Sequence, residues 1–153
     1  MKIEDELQQA RFENEQVKAH VNVLFTASMM YNRVLSRLKK YGLSHEQFNV
    51  LRILRGQRNR SICQRDILSR MIDRSSNLTH IINRLKDKQL ILVEKSETDR
   101  REYKITITKE GLALLKKIDR EQFSEDSPPL NMLSDADAAM LNSLLDKMRE
   151  QEG

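Results

Sequence analysis

The chain has 153 residues and a formal net charge of +4, with a third of its side chains charged, 5% aromatic, two prolines, four glycines and one cysteine. That length suits one domain with a useful core, and the composition favours long amphipathic helices over a β-sandwich. A single cysteine excludes an intramolecular disulfide framework and any Cys-x-x-Cys zinc or redox motif, and no run of about 18 apolar residues offers a membrane span. The acidic start Ile3-Glu4-Asp5-Glu6 lacks the basic and apolar regions of a signal peptide, so a cytoplasmic protein with no membrane partner is expected.

From Glu4 to Tyr41 there is neither proline nor glycine, and Leu24, Phe25, Met29, Val34, Leu35 and Leu38 recur at helical spacing until Gly42 offers a stop. The pattern predicts one long helix with room for a break near its start. At 1.5 Å per residue, about 35 residues span roughly 50 Å, more than a domain of this size can cover, so another surface must bury the stripe. Ser44-His45-Glu46-Gln47 has the Ser-x-x-Gln form of a capping box and opens a helix with Phe48, Leu51 and Leu54 inward, ending near Gly56. Ser61-Ile62-Cys63-Gln64 repeats that form and is expected to start another helix, after which Asp73 is the natural N-cap of the next. In this last helix Leu78, Ile81, Ile82 and Leu85 fall on one face, while Arg74, Ser75, Asn77, His80, Asn83 and Lys86 fill the other.

Residues 90–95 and 103–108 are rich in β-branched and aromatic side chains and predict a hairpin with Asp99-Arg100-Arg101 at its tip. Thr108 can cap a helix carrying Leu112, Leu115 and Ile118, which Asp126-Ser127-Pro128-Pro129 must interrupt. Leu133-Ser134 restarts a final helix with Met140, Leu141, Leu144, Leu145 and Met148.

The order helix, helix, hairpin is the plan of a winged helix-turn-helix. The expected fold is mainly α with a small β-hairpin wing, flanked by N- and C-terminal helices whose leftover apolar faces call for a homodimer. One unit covers 1–153, with a reader at about 43–110 and dimerisation helices at about 4–41 and 111–152.

Charge follows this division. Residues 1–54 carry 8 basic and 6 acidic side chains, residues 55–104 carry 13 and 7, and residues 105–153 carry 6 and 10. The excess of positive charge on the reader is an electrostatic footprint for double-stranded DNA. Arg100 and Arg101 suit insertion into a narrow minor groove, where negative potential is concentrated. Arg74, Lys86, Lys88 and Lys95 fall in the phosphate field; Arg84 suits either a phosphate contact or an internal ion pair. Cys63 opens a helix and reads as a small buried hydrophobe or, less readily, as a redox-sensing thiol. His20, His45 and His80 lie in separate elements without metal-ligand spacing, and no cofactor is implied. A winged helix used as a protein-interaction module is the rival reading. An enzyme has no support, since no nucleophile with a base, phosphate loop or metal motif is present.

The stretch Ser76-Asn77-Leu78-Thr79-His80-Ile81-Ile82-Asn83-Arg84-Leu85, then Asp99-Arg100-Arg101 and Ile105-Thr106-Ile107-Thr108-Lys109-Glu110-Gly111, resembles the multiple-antibiotic-resistance regulator (MarR) family of winged-helix transcription factors. The resemblance covers nearly the whole chain. It implies a homodimeric regulator, more often repressor than activator, that binds a pseudo-palindromic operator and is released by a small-molecule or redox signal. By position it puts Ser75, Ser76, Asn77, Thr79 and His80 on the major-groove surface, where Arg74 is expected to join them, while Arg84, Lys86 and Lys95 are expected at the DNA backbone. In the wing, Arg101 is the tip arginine beside Arg100, with Asp99 as its brace. A phenolic or aromatic effector would bind near Met29, Met30 and Tyr31. Gln89 departs from the glycine usual where the chain turns left-handed after the reading helix, at a cost of roughly 1 kcal/mol; Leu68 stands where the family favours alanine.

Overall fold

A computed structural model describes residues 1–58, 60–75, 77–96, 102–122 and 132–150. Along them run α1 (Ile3–Leu7), α2 (Glu15–Lys39), α3 (His45–Gly56), β1 (Ile62–Cys63), α4 (Gln64–Arg70), α5 (Leu78–Asp87), β2 (Ile91–Lys95), β3 (Tyr103–Ile107), α6 (Lys109–Gln122) and α7 (Asp135–Arg149). The protein is mainly helical, with a winged helix-turn-helix between its terminal helices.

At the core lies α3, whose Phe48, Val50, Leu51 and Leu54 are buried and which packs against α2, α4, α5, α6 and β3. The Ser44 capping box forms as its sequence predicts, with reciprocal bonds between Ser44 and Gln47. Burial of Leu78, Ile81, Ile82 and Leu85 turns the apolar face of α5 onto α3. Leu68 is half-buried at the edge of the same core.

Two expectations are corrected. The sheet has three antiparallel strands in the order β1-β3-β2, because Ile62 and Cys63 pair with Ile105 and Lys104 instead of serving a capping box at Ser61. Helix α4 therefore begins at Gln64, with Cys63 as an N-cap that makes no side-chain bond. Asp73 does not cap α5: its carboxylate accepts from the backbone N and hydroxyl of Ser75, closing a local turn, and Asn77 caps the helix by accepting from His80 N at 3.2 Å. The break allowed for near the start of the N-terminal helix falls between Leu7 and Glu15. Gln8 takes a left-handed conformation (φ 53°) that ends α1, Asn14 caps α2 by accepting from Val17 N, and Lys18 pairs with Glu4 across the break.

Helix ends explain how the reader is joined to the rest. After α2, Leu43 N donates to Leu38 O and Gly42 N to Lys39 O, with Gly42 at φ 61°. After α5 the same pattern recurs as Leu90 N to Leu85 O and Gln89 N to Lys86 O, with Gln89 at φ 58°. Both are Schellman motifs with the accompanying apolar pair, Leu38 with Leu43 and Leu85 with Leu90. Gln89 thus occupies the left-handed site expected of it. The Thr108 hydroxyl donates to Gln89 O at 2.9 Å and accepts from Gly111 N at 3.0 Å, while Thr108 N donates to Leu90 O. Thr108 caps α6 and fastens it to the end of α5.

Helix α6 is tied further by an ion pair of Asp119 with Arg55 and by the Tyr41 phenol, which donates to Glu121. That bond holds the Tyr41 pKa above its ordinary value. Lys117 Nζ sits 5.5 Å from the Tyr41 ring centre.

Two substitutions test the joint at Thr108. A Cβ on Gly111 would press into the Leu90 carbonyl oxygen and lie 2.8 Å from Ile107 Cγ1, so Gly111→Ala is expected to cost at least about 2 kcal/mol in chemical denaturation. Gln89→Gly is expected to raise stability by up to about 1 kcal/mol, a gain of a few degrees in a thermal melt at equal protein concentration, because it removes left-handed strain. A destabilised glycine variant would mean that the Gln89 side chain contributes more than its strain costs.

Candidate nucleic-acid interface

The approach to α5 is held from beneath. Asn49 Oδ1 of α3 accepts from Ile72 N at 3.0 Å, and the Asp73 turn then brings Arg74 and Ser75 out to solvent. Asn77, Thr79 and His80 follow, all exposed at the helix's start, where the backbone dipole favours negative charge. Arg74 and Ser75 just before α5, Asn77 at its cap, and Thr79 and His80 in its first turn are thus all exposed, while Leu78, Ile81, Ile82 and Leu85 face the core. Ser76, Asp99, Arg100 and Arg101 lie outside the described residues.

Arg84 and Lys86 are exposed on the last turns of α5. Among the described residues Arg84 enters no ion pair. Lys88 differs from expectation: its ammonium donates to the Gly42 carbonyl and joins the ends of α2 and α5. Lys95 is exposed at the end of β2, in register with Tyr103. Just beyond, Ser96 N donates to Glu102 O at 2.9 Å and closes the stem of the wing.

Asn49 and the β1 strand were invisible to pattern reading. One polar residue among several on an amphipathic helix gives no sign of which turn it will brace, and a two-residue strand is too short for alternation to register.

Of the effector candidates, Met29 lines an open hollow on α2 with Phe25, Ser28, Asn32, Arg33 and Ser36. Met30 and Tyr31 do not line it, and the Tyr31 ring lies instead 4.7 Å from that of His45. Cys63 is half-buried in β1. Among the described residues no helix is long and apolar enough to cross a membrane.

A helix with one buried and one exposed polar face, braced beneath and followed at once by a wing stem, defines a DNA-binding winged-helix regulator of transcription, of the MarR type. The model of the family "Transcriptional regulator SarA/Rot" matches residues 33–118, and the chain belongs to that family. These proteins are regulators of transcription and not enzymes. The chain is 27% identical over 111 residues to the HTH-type transcriptional regulator MhqR of Bacillus subtilis, covering 72% of this chain and 75% of that protein. To the HTH-type transcriptional regulator PecS of Dickeya dadantii it is 26% identical over 156 residues, covering 98% and 94%. The crystal structure of a MarR transcription factor from Planctomyces limnophilus superposes with a TM-score of 0.65 at 27% identity, covering 90% of this chain and 98% of that one.

The double duty of Asn77 gives a prediction. Asn77→Ala removes the cap and is expected to cost about 1 kcal/mol of stability, whereas Asn77→Ser keeps an acceptor for His80 N and costs a few tenths. Equal melting temperatures for wild type and the alanine variant would show that the cap contributes nothing.

Proposed function

We propose that this regulator works as a homodimer that binds a pseudo-palindromic operator and represses, with release by a small aromatic or phenolic effector. The observation that carries the DNA reading is the contrast at α5: four buried apolar residues on the helix, and Thr79 and His80 exposed on it with Arg74, Ser75 and Asn77 exposed just before it. In this reading those residues, with Ser76, meet base edges in the major groove, and Arg84, Lys86 and Lys95 meet phosphates. Arg101, with Arg100 beside it and Asp99 bracing the tip, enters the flanking minor groove.

The dimer reading is supported by apolar surface with nothing over it. Met140, Leu144 and Met148 of α7 are 67%, 55% and 49% exposed, and Leu24 of α2 is 58% exposed. A two-fold pair of chains would cover these faces and present two α5 helices to half-sites about 34 Å apart. Small polar and apolar side chains around Met29 suit an aromatic effector at the α2 hollow.

Fluorescence anisotropy with operator and random duplexes tests the DNA assignment. Lys86→Ala and Lys95→Ala are expected to weaken both duplexes by the same factor, while Thr79→Ala changes discrimination between them by about 1–3 kcal/mol. Uniform loss from Thr79→Ala would remove it from base readout. Deleting residues 130–153 is expected to weaken dimerisation in sedimentation equilibrium, and an undiminished dimer at nanomolar concentration would overturn the interface.

A further inference from the structure

Strand β1 brings one further cation to the wing. Ile62 pairs with Ile105 and Cys63 with Lys104, and α4 follows at once, so that Arg65 in its first turn lies beside Glu102, just before β3. The side chains meet there, with Arg65 Nη2 4.0 Å from Glu102 Oε1. The guanidinium is 84% exposed and Glu102 is 45% exposed. A pair so open to water is weak, so Arg65 is available to another anion. Glu102 is the first described residue after the wing tip, and its carbonyl closes the wing stem by accepting from Ser96 N.

A minor groove is walled by two rows of phosphates, and a wing whose tip enters the groove must cross one of them at its root. We propose that Arg65 is a wing-root contact to the DNA backbone, held by Glu102 in the free protein and passed to a phosphate when duplex binds. The charge balance of residues 55–104 agrees with this: a carboxylate at the root of a basic wing opposes DNA unless a cation screens it. The handover gives Arg65 a stronger, charge-assisted partner, while Glu102 returns to water. Helix α4 supplies a rigid base for Arg65, since Ile67, two residues on, is fully buried. The inference rests on the DNA-binding reading of the wing.

The test is anisotropy titration of a fluorescent duplex of random sequence at salt concentrations from about 50 to 200 mM, using wild type, Arg65→Ala, Glu102→Gln and the double variant. Both side chains are exposed, and circular dichroism checks that each variant folds. Losing one phosphate contact lowers the slope of log affinity against log salt by about 0.9. The deficit of Arg65→Ala should therefore shrink roughly 3.5-fold per subunit across that salt range. Glu102→Gln should bind up to about fivefold tighter in the wild-type background and gain less in the Arg65→Ala background, because the two side chains act on each other.

An unchanged salt slope in Arg65→Ala, with wild type binding normally, overturns the inference and leaves the DNA reading intact. Equal gains from Glu102→Gln in both backgrounds overturn the handover, since Glu102 would then act on DNA directly. If wild type binds no duplex at all, both readings fall together.

Discussion

The winged helix-turn-helix depends on the hydroxyl of Thr108. In one place it donates to the last turn after α5, through Gln89 O, and accepts from the first turn of α6, through Gly111 N. Its own backbone N donates to Leu90 O, where β2 begins. Four elements thereby meet at one residue: the reading helix, both long strands of the wing, and the helix leading out of the reader. Since the angle between α5 and the wing is set here, so is the relation of the polar helix face to the wing stem. Gly111 belongs to the same joint, for its Cα lies so near the Leu90 carbonyl that a side chain has no room. The Thr-x-x-Gly pattern is therefore a packing requirement.

A second tether links the reader to the N-terminal helix. The α2 and α5 helices end in the same Schellman geometry, and the Lys88 ammonium bonds the Gly42 carbonyl at the end of α2. Beside it Tyr41 reaches Glu121 of α6. Close-packed elements fastened at their ends transmit displacement better than they absorb it. In a regulator whose effector site is proposed on α2, the bond from Lys88 joins that helix directly to the C-terminal end of α5.

How far the fold was legible in the sequence varies with the range of the forces concerned. The two faces of α5 were plain, because burial there follows a 3.6-residue period that any apolar pattern exposes. The cap at Ser44 was likewise plain, its partner lying three residues away. Strand β1 was not, because Ile62 and Cys63 become a strand only by pairing with β3, some forty residues further on. Asp73 and Asn77 are both good caps. The choice between them fell to the bond from Asn49 and the Asp73–Ser75 turn, neither of which has a signature in one sequence. A break near the start of the N-terminal helix was allowed for, but its position was hidden because a glutamine takes the left-handed site usually marked by glycine. At the candidate interface the exposed face of α5 could be read directly, but Lys88 could not be separated from its basic neighbours until its partner on α2 was seen.

The distribution of burial explains why reader and dimer are best considered together. Helix α2 has 25 residues, on the order of 38 Å of helix, yet the only residue it buries fully is Leu38 near its C-terminal end. Helix α7 buries none. A single chain therefore invests its core in holding α5 and the wing, and leaves most of its two long terminal helices uncovered. In the proposed dimer those faces cover each other, so the surface that stabilises the assembly also sets the distance between two reading helices. Half-site spacing then becomes a property of α2 and α7, far from any base. The bond from Lys88 to the Gly42 carbonyl ties the end of α5 to the end of α2, so in the proposed dimer the placement of each α5 would follow that of its own α2.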